Sequence, residues 1–239
     1  LSTGFDCEDI QFLINLGQKR LKIPSGEITN VPYIRCIGRA GLPVCLSTGM
    51  STMSEIGYAL GTLERAGTPR DDVTVMHCTT EYPAPIDEAN LLAMCSIRGE
   101  FGTPVGYSDH TPGIEVAVAA VALGACVIEK HITIDRNMAG PDHKASLEPD
   151  EFREMVSAIR KVERALGEAI KQPSVSEIKN ITIARRSIVA NSPIKRGDVL
   201  SERNLTTKRP GTGVDPRHWD EVLGSIAIRD FKKDELIDL

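Results

Sequence analysis

From residue 20 to about residue 165, short apolar runs alternate with longer amphipathic stretches. The runs RLKIPS, LPVCLS, VTVMHC, TPVGYS and ACVIEKHI are rich in Val, Ile and Leu, and most follow Gly or Pro, the pattern of strands between turns. The stretches DCEDIQFLINLG, TNVPYIRCIG, STMSEIGYALGTLERAG, DEANLLAMCSIRGEF, GIEVAVAAVALG and PDEFREMVSAIRKVERALGE read as helices. In the last of these, Phe152, Met155, Ile159 and Val162 recur at three- and four-residue intervals and form one apolar face. Repetition of strand and helix predicts an α/β fold of parallel strands joined by right-handed crossovers.

Two architectures satisfy that pattern, an open doubly wound sheet and a (β/α)8 TIM barrel. Nearly every run ends in polar residues: PSGE, STG, HCTTEY, SDH and EKH. A barrel gathers its site from the C-terminal ends of many strands, whereas an open sheet concentrates it at one switch point. The barrel is therefore the expected fold. Five complete strand–helix units are present, and the opening Leu-Ser-Thr reads as the tail of another strand. Closing eight strands needs two to three further units before residue 1, so the expectation is a barrel that lacks its N-terminal strands in this chain.

The barrel pattern covers residues 1–165. Residues 166–180, with GEAIKQPSVSEIKN at their centre, are polar without a strong period and read as a linker. Residues 181–239 carry short β-like pieces separated by Gly and Pro turns, which predicts a small β-rich module. So short a piece is marginal for an independent core, and docking on the barrel or on a second subunit would support it.

Composition narrows the function classes. With 41% hydrophobic and 26% charged residues, the 239-residue chain has the means to build a packed core. No apolar run approaches the ~20 residues of a membrane span. LSTGFDCEDI has neither a basic start nor an apolar stretch, so the default compartment is the cytoplasm. A net charge of −5, scattered basic residues and 4% aromatics argue against a nucleic-acid-binding face. The cysteines Cys7, Cys36, Cys45, Cys78, Cys95 and Cys126 form no CxxC pair and mostly sit in apolar segments, as reduced, buried thiols do. Cys78 is the one candidate nucleophile, without an evident activating base.

The chemistry concentrates in SDHT (108–111) and EKH (129–131). Strand alternation puts Ser108 and His110 on one face, and Glu129 and His131 on one face of the next strand. Two imidazoles side by side suit a divalent transition ion acting as a Lewis acid; each alone would read as a hydrogen-bonded structural histidine. Lys22, Ser25 and Ser47, near glycines, have the makings of a phosphate cradle, although Ser and Thr at strand–helix turns also serve as simple caps. Ser51 reads as such a cap. In GPDHKASLEPDEF the end is a helix start, while Asp142 or His143 is placed to reach the site.

Together, KIPSGEITN, LSTGMST, HCTTEYPAP, GYSDHT, EKHITID and GPDHKASLEP resemble the sialic-acid synthase family, and RRSIVA, IKRG, NL and KRPGTG resemble its appended antifreeze-protein-like (SAF) domain. The resemblance implies an enzyme condensing phosphoenolpyruvate with an N-acetylated mannosamine-type sugar to give a nonulosonic (sialic) acid and phosphate. It implies a divalent metal, Mn2+ ahead of Mg2+ or Co2+, held by His110 and His131. Thr3, Lys22, Ser25, Ser47 and Ser108 match positions lining the phosphoenolpyruvate site, and Thr80 stands where some members have asparagine. Glu27, Tyr82 and Asp142 match positions near the amino sugar. Lys22 balances anionic charge, Glu27 handles a proton, and Glu129 completes the catalytic set. Arg209 matches an arginine reaching into the partner subunit's barrel, which implies a domain-swapped homodimer. The open alternatives are a 2,4-diacetamido-trideoxy sugar as acceptor, as in a legionaminate synthase, and a non-catalytic sugar-binding protein.

Overall fold

The computed structural model describes residues 1–239, in two compact units, Leu1–Gly167 and Glu168–Leu239. The first unit is the strand–helix repeat read from the pattern. In order it comprises α1 (Cys7–Asn15), β1 (Leu21–Ile23), α2 (Val31–Arg39), β2 (Val44–Ser47), α3 (Met53–Ala66), β3 (Val73–Cys78), α4 (Leu92–Phe101), β4 (Val105–Asp109), α5 (Glu115–Ala122), β5 (Ile128–Lys130) and α6 (Pro149–Leu166). All five strands pair in parallel, in chain order from β1 to β5. This is part of a TIM-like barrel.

Period two sorts the strand residues. Leu21, Ile23, Val44, Leu46, Val73, Val75, Val105 and Tyr107 join Ile34, Ile37, Leu60, Leu63 and Ile97 of the helices in one core. The alternate positions, among them Lys22, Cys45, Ser47, Cys78, Ser108 and Glu129, fall on the other sheet face. Helix ends follow their caps: Asp6 accepts the Asp9 amide at 2.8 Å to start α1, and Glu148 with Glu151 boxes the start of α6. The cap of α3 is Thr52, boxed with Glu55, rather than the expected Ser51. Ser51 instead donates to the Gly49 carbonyl at 3.3 Å. Leu1–Thr3 lies outside any strand and so does not continue the sheet as expected.

The second unit contains α7 (Val175–Ala184), the antiparallel pair β6 (Ser187–Ala190) and β7 (Leu205–Lys208), and a short helix α8 (Trp219–Val222). Isolated bridges Ile194–Phe231 and Val199–Ile226 stitch its loops around a core of Ile188, Leu200, Leu205, Val222, Phe231 and Ile237. Helix α7 begins inside the stretch expected to be a structureless linker. Its period is hard to read because Val175, Ile178 and Ile183 stay exposed and join no part of the unit's core. A capping box between Ser174 and Glu177 starts it. Its far end is tied by the Gly211 amide to the Thr182 carbonyl (2.7 Å). All six cysteines are free, but Cys126, expected to be buried, is exposed, as is Cys7.

Candidate active site at the strand ends

Polar side chains from β1, β4 and β5 meet on the sheet face away from the helix core. Lys22 is 6% exposed and reaches across to Glu129, with its ammonium 2.7 and 2.5 Å from the two carboxylate oxygens. The Ser108 hydroxyl donates to the same carboxylate at 2.8 Å. Ladder register explains the second contact, since Ser108 is the direct partner of Glu129. Burial alone would raise the Glu129 pKa, but the Lys22 ammonium and the Ser108 hydroxyl outweigh it and hold the carboxyl below its ordinary range.

One step beyond the ladder stand the two histidines, with ring centroids 5.4 Å apart and planes nearly perpendicular. His110 Nδ1 lies 2.6 Å from the Thr79 carbonyl. Only a protonated Nδ1 makes a hydrogen bond there, which leaves the Nε2 lone pair outward, 3.5 Å from Ser108 Oγ. Burial pushes the His110 pKa down and favours the neutral ring. His131 Nδ1 is 4.0 Å from the Asp142 carboxylate. The Tyr82 ring covers both, 4.2 Å from His110 and 5.6 Å from His131.

No set of three His, Cys, Asp or Glu side chains converges as a closed metal cage. Two imidazoles, one already oriented by a carbonyl from behind, do fit an open site whose remaining positions go to substrate oxygens and water. An open set of two imidazoles suits a Lewis-acid site better than a structural one, which uses four protein ligands.

A second group surrounds Ser25. Its hydroxyl accepts the Gly49 amide at 2.9 Å and lies 3.3 Å from Cys78 Sγ. A Cβ on Gly49 would sit 2.0 Å from Thr80 Oγ1 and 3.0 Å from Ser25 Oγ, so glycine is what lets Thr80 close over this turn. Ser47 Oγ is buried with no partner in the protein, the kind of orphan donor that a site must account for. Beside this group, between the β2 and β3 ends, a cleft of about 740 Å3 is lined by Thr48, Met50, Thr79, Thr80 and Glu81.

The remaining expected residues are placed unevenly. Thr3 is exposed, next to Gly4, whose carbonyl accepts the Tyr33 hydroxyl at 2.6 Å. That hydroxyl also lies 3.4 Å from the Lys22 carbonyl, which brings the segment to the end of β1. Glu27 is not drawn into the Lys22–Glu129 cluster, because its carboxylate accepts from Asn30 at 2.6 Å. Of the two candidates in GPDH, Asp142 faces His131, while His143 is held at 2.7 Å by Thr133 Oγ1. Arg209 belongs to the second unit, where its Nε donates to the Ala184 carbonyl at 2.9 Å.

Behind the site, unanticipated, lies a fully enclosed ion pair of Lys130 with Asp109 at 2.8 Å, both side chains 0% exposed. Asp109 also accepts the Thr111 amide (2.9 Å) and hydroxyl (2.7 Å), and Lys130 donates to the Thr111 carbonyl. The signal was available: SDH and EKH put opposite charges in register on the face opposite the histidines.

The NeuB family matches residues 1–171, and the SAF domain matches residues 185–239. The N,N'-diacetyllegionaminic acid synthase of Campylobacter jejuni is 54% identical over 237 residues, 99% of this chain and 71% of that protein. The chain belongs to the NeuB family. A second NeuB-type relative, the N,N'-diacetyllegionaminic acid synthase of Legionella pneumophila, is 46% identical over 94% of this chain and 64% of its own length. The chain thus spans roughly two thirds of these NeuB relatives. Among solved structures, spore coat polysaccharide biosynthesis protein E of Chromobacterium violaceum superposes with a TM-score of 0.76 at 27% identity, over 98% of this chain and 70% of that one. That likeness agrees with the NeuB assignment of the barrel part.

Proposed function

We propose that the protein condenses phosphoenolpyruvate with an N-acetylated amino sugar in its open-chain form, giving a nonulosonic acid and phosphate. The observation that carries this reading is the Lys22–Glu129–Ser108 cluster lying beside the His110–His131 pair at adjacent strand ends. Lys22 is the cation for the phosphate or carboxylate of phosphoenolpyruvate, with Ser25, Ser47 and Thr80 as the neutral donors around it. An arriving anion exchanges with Glu129 for the ammonium. The methylene carbon of phosphoenolpyruvate bonds to the aldehyde carbon, whose oxygen takes up a proton as the sugar hydroxyl, and Glu129, ionised in its pair and now freed of Lys22, takes the proton of the water that adds to the phosphate-bearing carbon. Phosphate departs with cleavage of its C–O bond. This assigns the proton-handling role to Glu129 rather than Glu27, which Asn30 occupies.

A divalent ion at His110 and His131, Mn2+ by the family resemblance, would polarise the aldehyde oxygen of the sugar. Tyr82 and Asp142 shape the acceptor side around those rings. The two relatives named above favour the 2,4-diacetamido-2,4,6-trideoxy sugar of a legionaminate synthase over N-acetylmannosamine. Arg209 acts in the barrel of a partner subunit, within a domain-swapped homodimer. No helix is long and apolar enough to cross a membrane, and a cytoplasmic enzyme is the reading we adopt.

The test is phosphate release from phosphoenolpyruvate by the full-length parent protein with Mn2+ and each sugar in turn. Release with the diacetamido sugar in preference to N-acetylmannosamine is expected. The reverse preference would make the protein a sialate synthase, and release with neither, from folded and metal-loaded protein, would overturn the reading.

A further inference from the structure

The β4–β5 ladder pairs Ser108 with Glu129 and Asp109 with Lys130, and stops there. His110 and His131 are the next residues on each chain, so no ladder hydrogen bond fixes one imidazole against the other. Other contacts hold each one separately: Thr79 and the Ala84 amide for His110, and the Leu147 amide for His131. Apart from the Tyr82 ring, which lies over both imidazoles, what joins the two segments at this level is on the opposite face. Lys130 Nζ, adjacent to His131, donates to Asp109 and to the Thr111 carbonyl, which flank His110 on both sides. Asp109 closes the loop by accepting from the Thr111 amide and hydroxyl.

We propose that the Asp109–Lys130–Thr111 network is a positioning device that sets the spacing and mutual orientation of His110 and His131. An enclosed ion pair is a poor way to gain stability, because desolvation cancels much of its attraction, and apolar replacements often serve as well. Its value lies in direction: three acceptor contacts on Asp109 and two from Lys130 admit one arrangement of the strand ends. The inference rests on the reading of the two histidines as a working pair. It concerns residues that touch neither substrate nor ion and act only through the chain segments bearing the rings.

The test compares the full chain with Asp109→Asn/Lys130→Met, which removes both charges and keeps an acceptor for Thr111, and with Thr111→Val. Long-range 1H–15N spectra of the imidazoles, recorded without metal, report ring environment directly. Co2+ titration followed by its visible absorption reports the paired site. Wild type should show His110 as a single Nδ1–H tautomer. The variants should stay folded, with shifted or broadened His110 and His131 signals and Co2+ affinity at least tenfold weaker, the range of outer-shell substitutions. Val75→Ala, a core change away from the network, should lower the melting temperature and leave both readouts unmoved. Unchanged imidazole spectra and Co2+ affinity within twofold of wild type would overturn the proposal. So would failure of both network variants to fold, which would make the network structural only. If wild type itself binds no Co2+, the metal reading fails, while the imidazole spectra still decide the positioning.

Discussion

Replacing Lys130 alone by Met should be among the most damaging single changes in the first unit, and the structure gives its size. The substitution is close to isosteric, so little packing is lost. What remains is a carboxylate, Asp109, with 0% exposure and no counter-charge in contact, held by the Thr111 amide and hydroxyl alone. Breaking an enclosed pair in this way costs about 3–5 kcal/mol. For a domain of the size of Leu1–Gly167, each kcal/mol is worth roughly 2–4 °C, so a fall of about 6–20 °C in melting temperature follows. Asp109→Asn/Lys130→Met removes the stranded charge and should recover most of that loss. Urea denaturation at pH 7, followed by far-UV circular dichroism, reports mainly on the first unit, which holds α1 to α6. The single tryptophan, Trp219, lies in α8 of the second unit, so its fluorescence serves as an internal control. A cost below ~1 kcal/mol for the single variant, the level of an exposed pair, or equal costs for the single and double variants, would refute the stranded-charge argument.

The second lysine–carboxylate pair should behave in the opposite sense. Lys22→Met breaks a pair whose Glu129 side chain is 41% exposed and solvent-screened, so urea stability should fall by only ~1 kcal/mol or less, while phosphate release should drop at least ~100-fold for want of the substrate's cation. Gly49→Ala places a methyl 2.0 Å from Thr80 Oγ1; the Thr80 side chain must turn away, and kcat/KM for phosphoenolpyruvate should fall by up to ~100-fold, as misplacement near 1 Å does, with little change in melting temperature. His77, half-buried and in hydrogen-bond contact with the Ala89 carbonyl at 3.0 Å, has its pKa pushed down by desolvation. The neutral ring is the stable form in the fold, so its contribution is complete at pH 7 and is lost as pH falls below the unfolded value of about 6.5. An NMR titration of that imidazole should give a midpoint under the ordinary histidine value.

The strand–helix order was legible because period-two and helical spacing survive wherever one face packs on a core, as Leu21, Ile23, Val44 and Leu46 do. Lys22, Ser108, Glu129, His110 and His131 were legible for a related reason. In parallel strands, polar residues at the C-terminal ends have one place to go, and register brings them together. Loop residues were less so. Glu27 and His143 are expected near the site, and each also makes a short local hydrogen bond, to Asn30 and Thr133, that no periodicity encodes. Helix α7 hid for the opposite reason, since its apolar residues meet no core within the second unit and leave no amphipathic signature.

Strand-end polarity predicts a site on one face only, and the Asp109–Lys130 pair lies on the other. Each face of β5 carries one end of a lysine–carboxylate contact, Glu129 with Lys22 of β1 and Lys130 with Asp109 of β4, and their burial separates their uses. On the helix side neither partner touches water, so no solute anion can compete for Lys130, and the pair is permanent while the unit is folded. On the site side Lys22 is enclosed but Glu129 is substantially exposed. An incoming phosphate or carboxylate can therefore approach, take the ammonium, and release a carboxylate already held in its ionised form. The same chemical pair thus fixes geometry where it is dry and yields to substrate where it is wet. Since the strand alternation that produces this difference also aims the two histidines, a one-residue slip of β5 against β4 would carry Glu129 and His131 together to the helix side, away from Ser108 and His110.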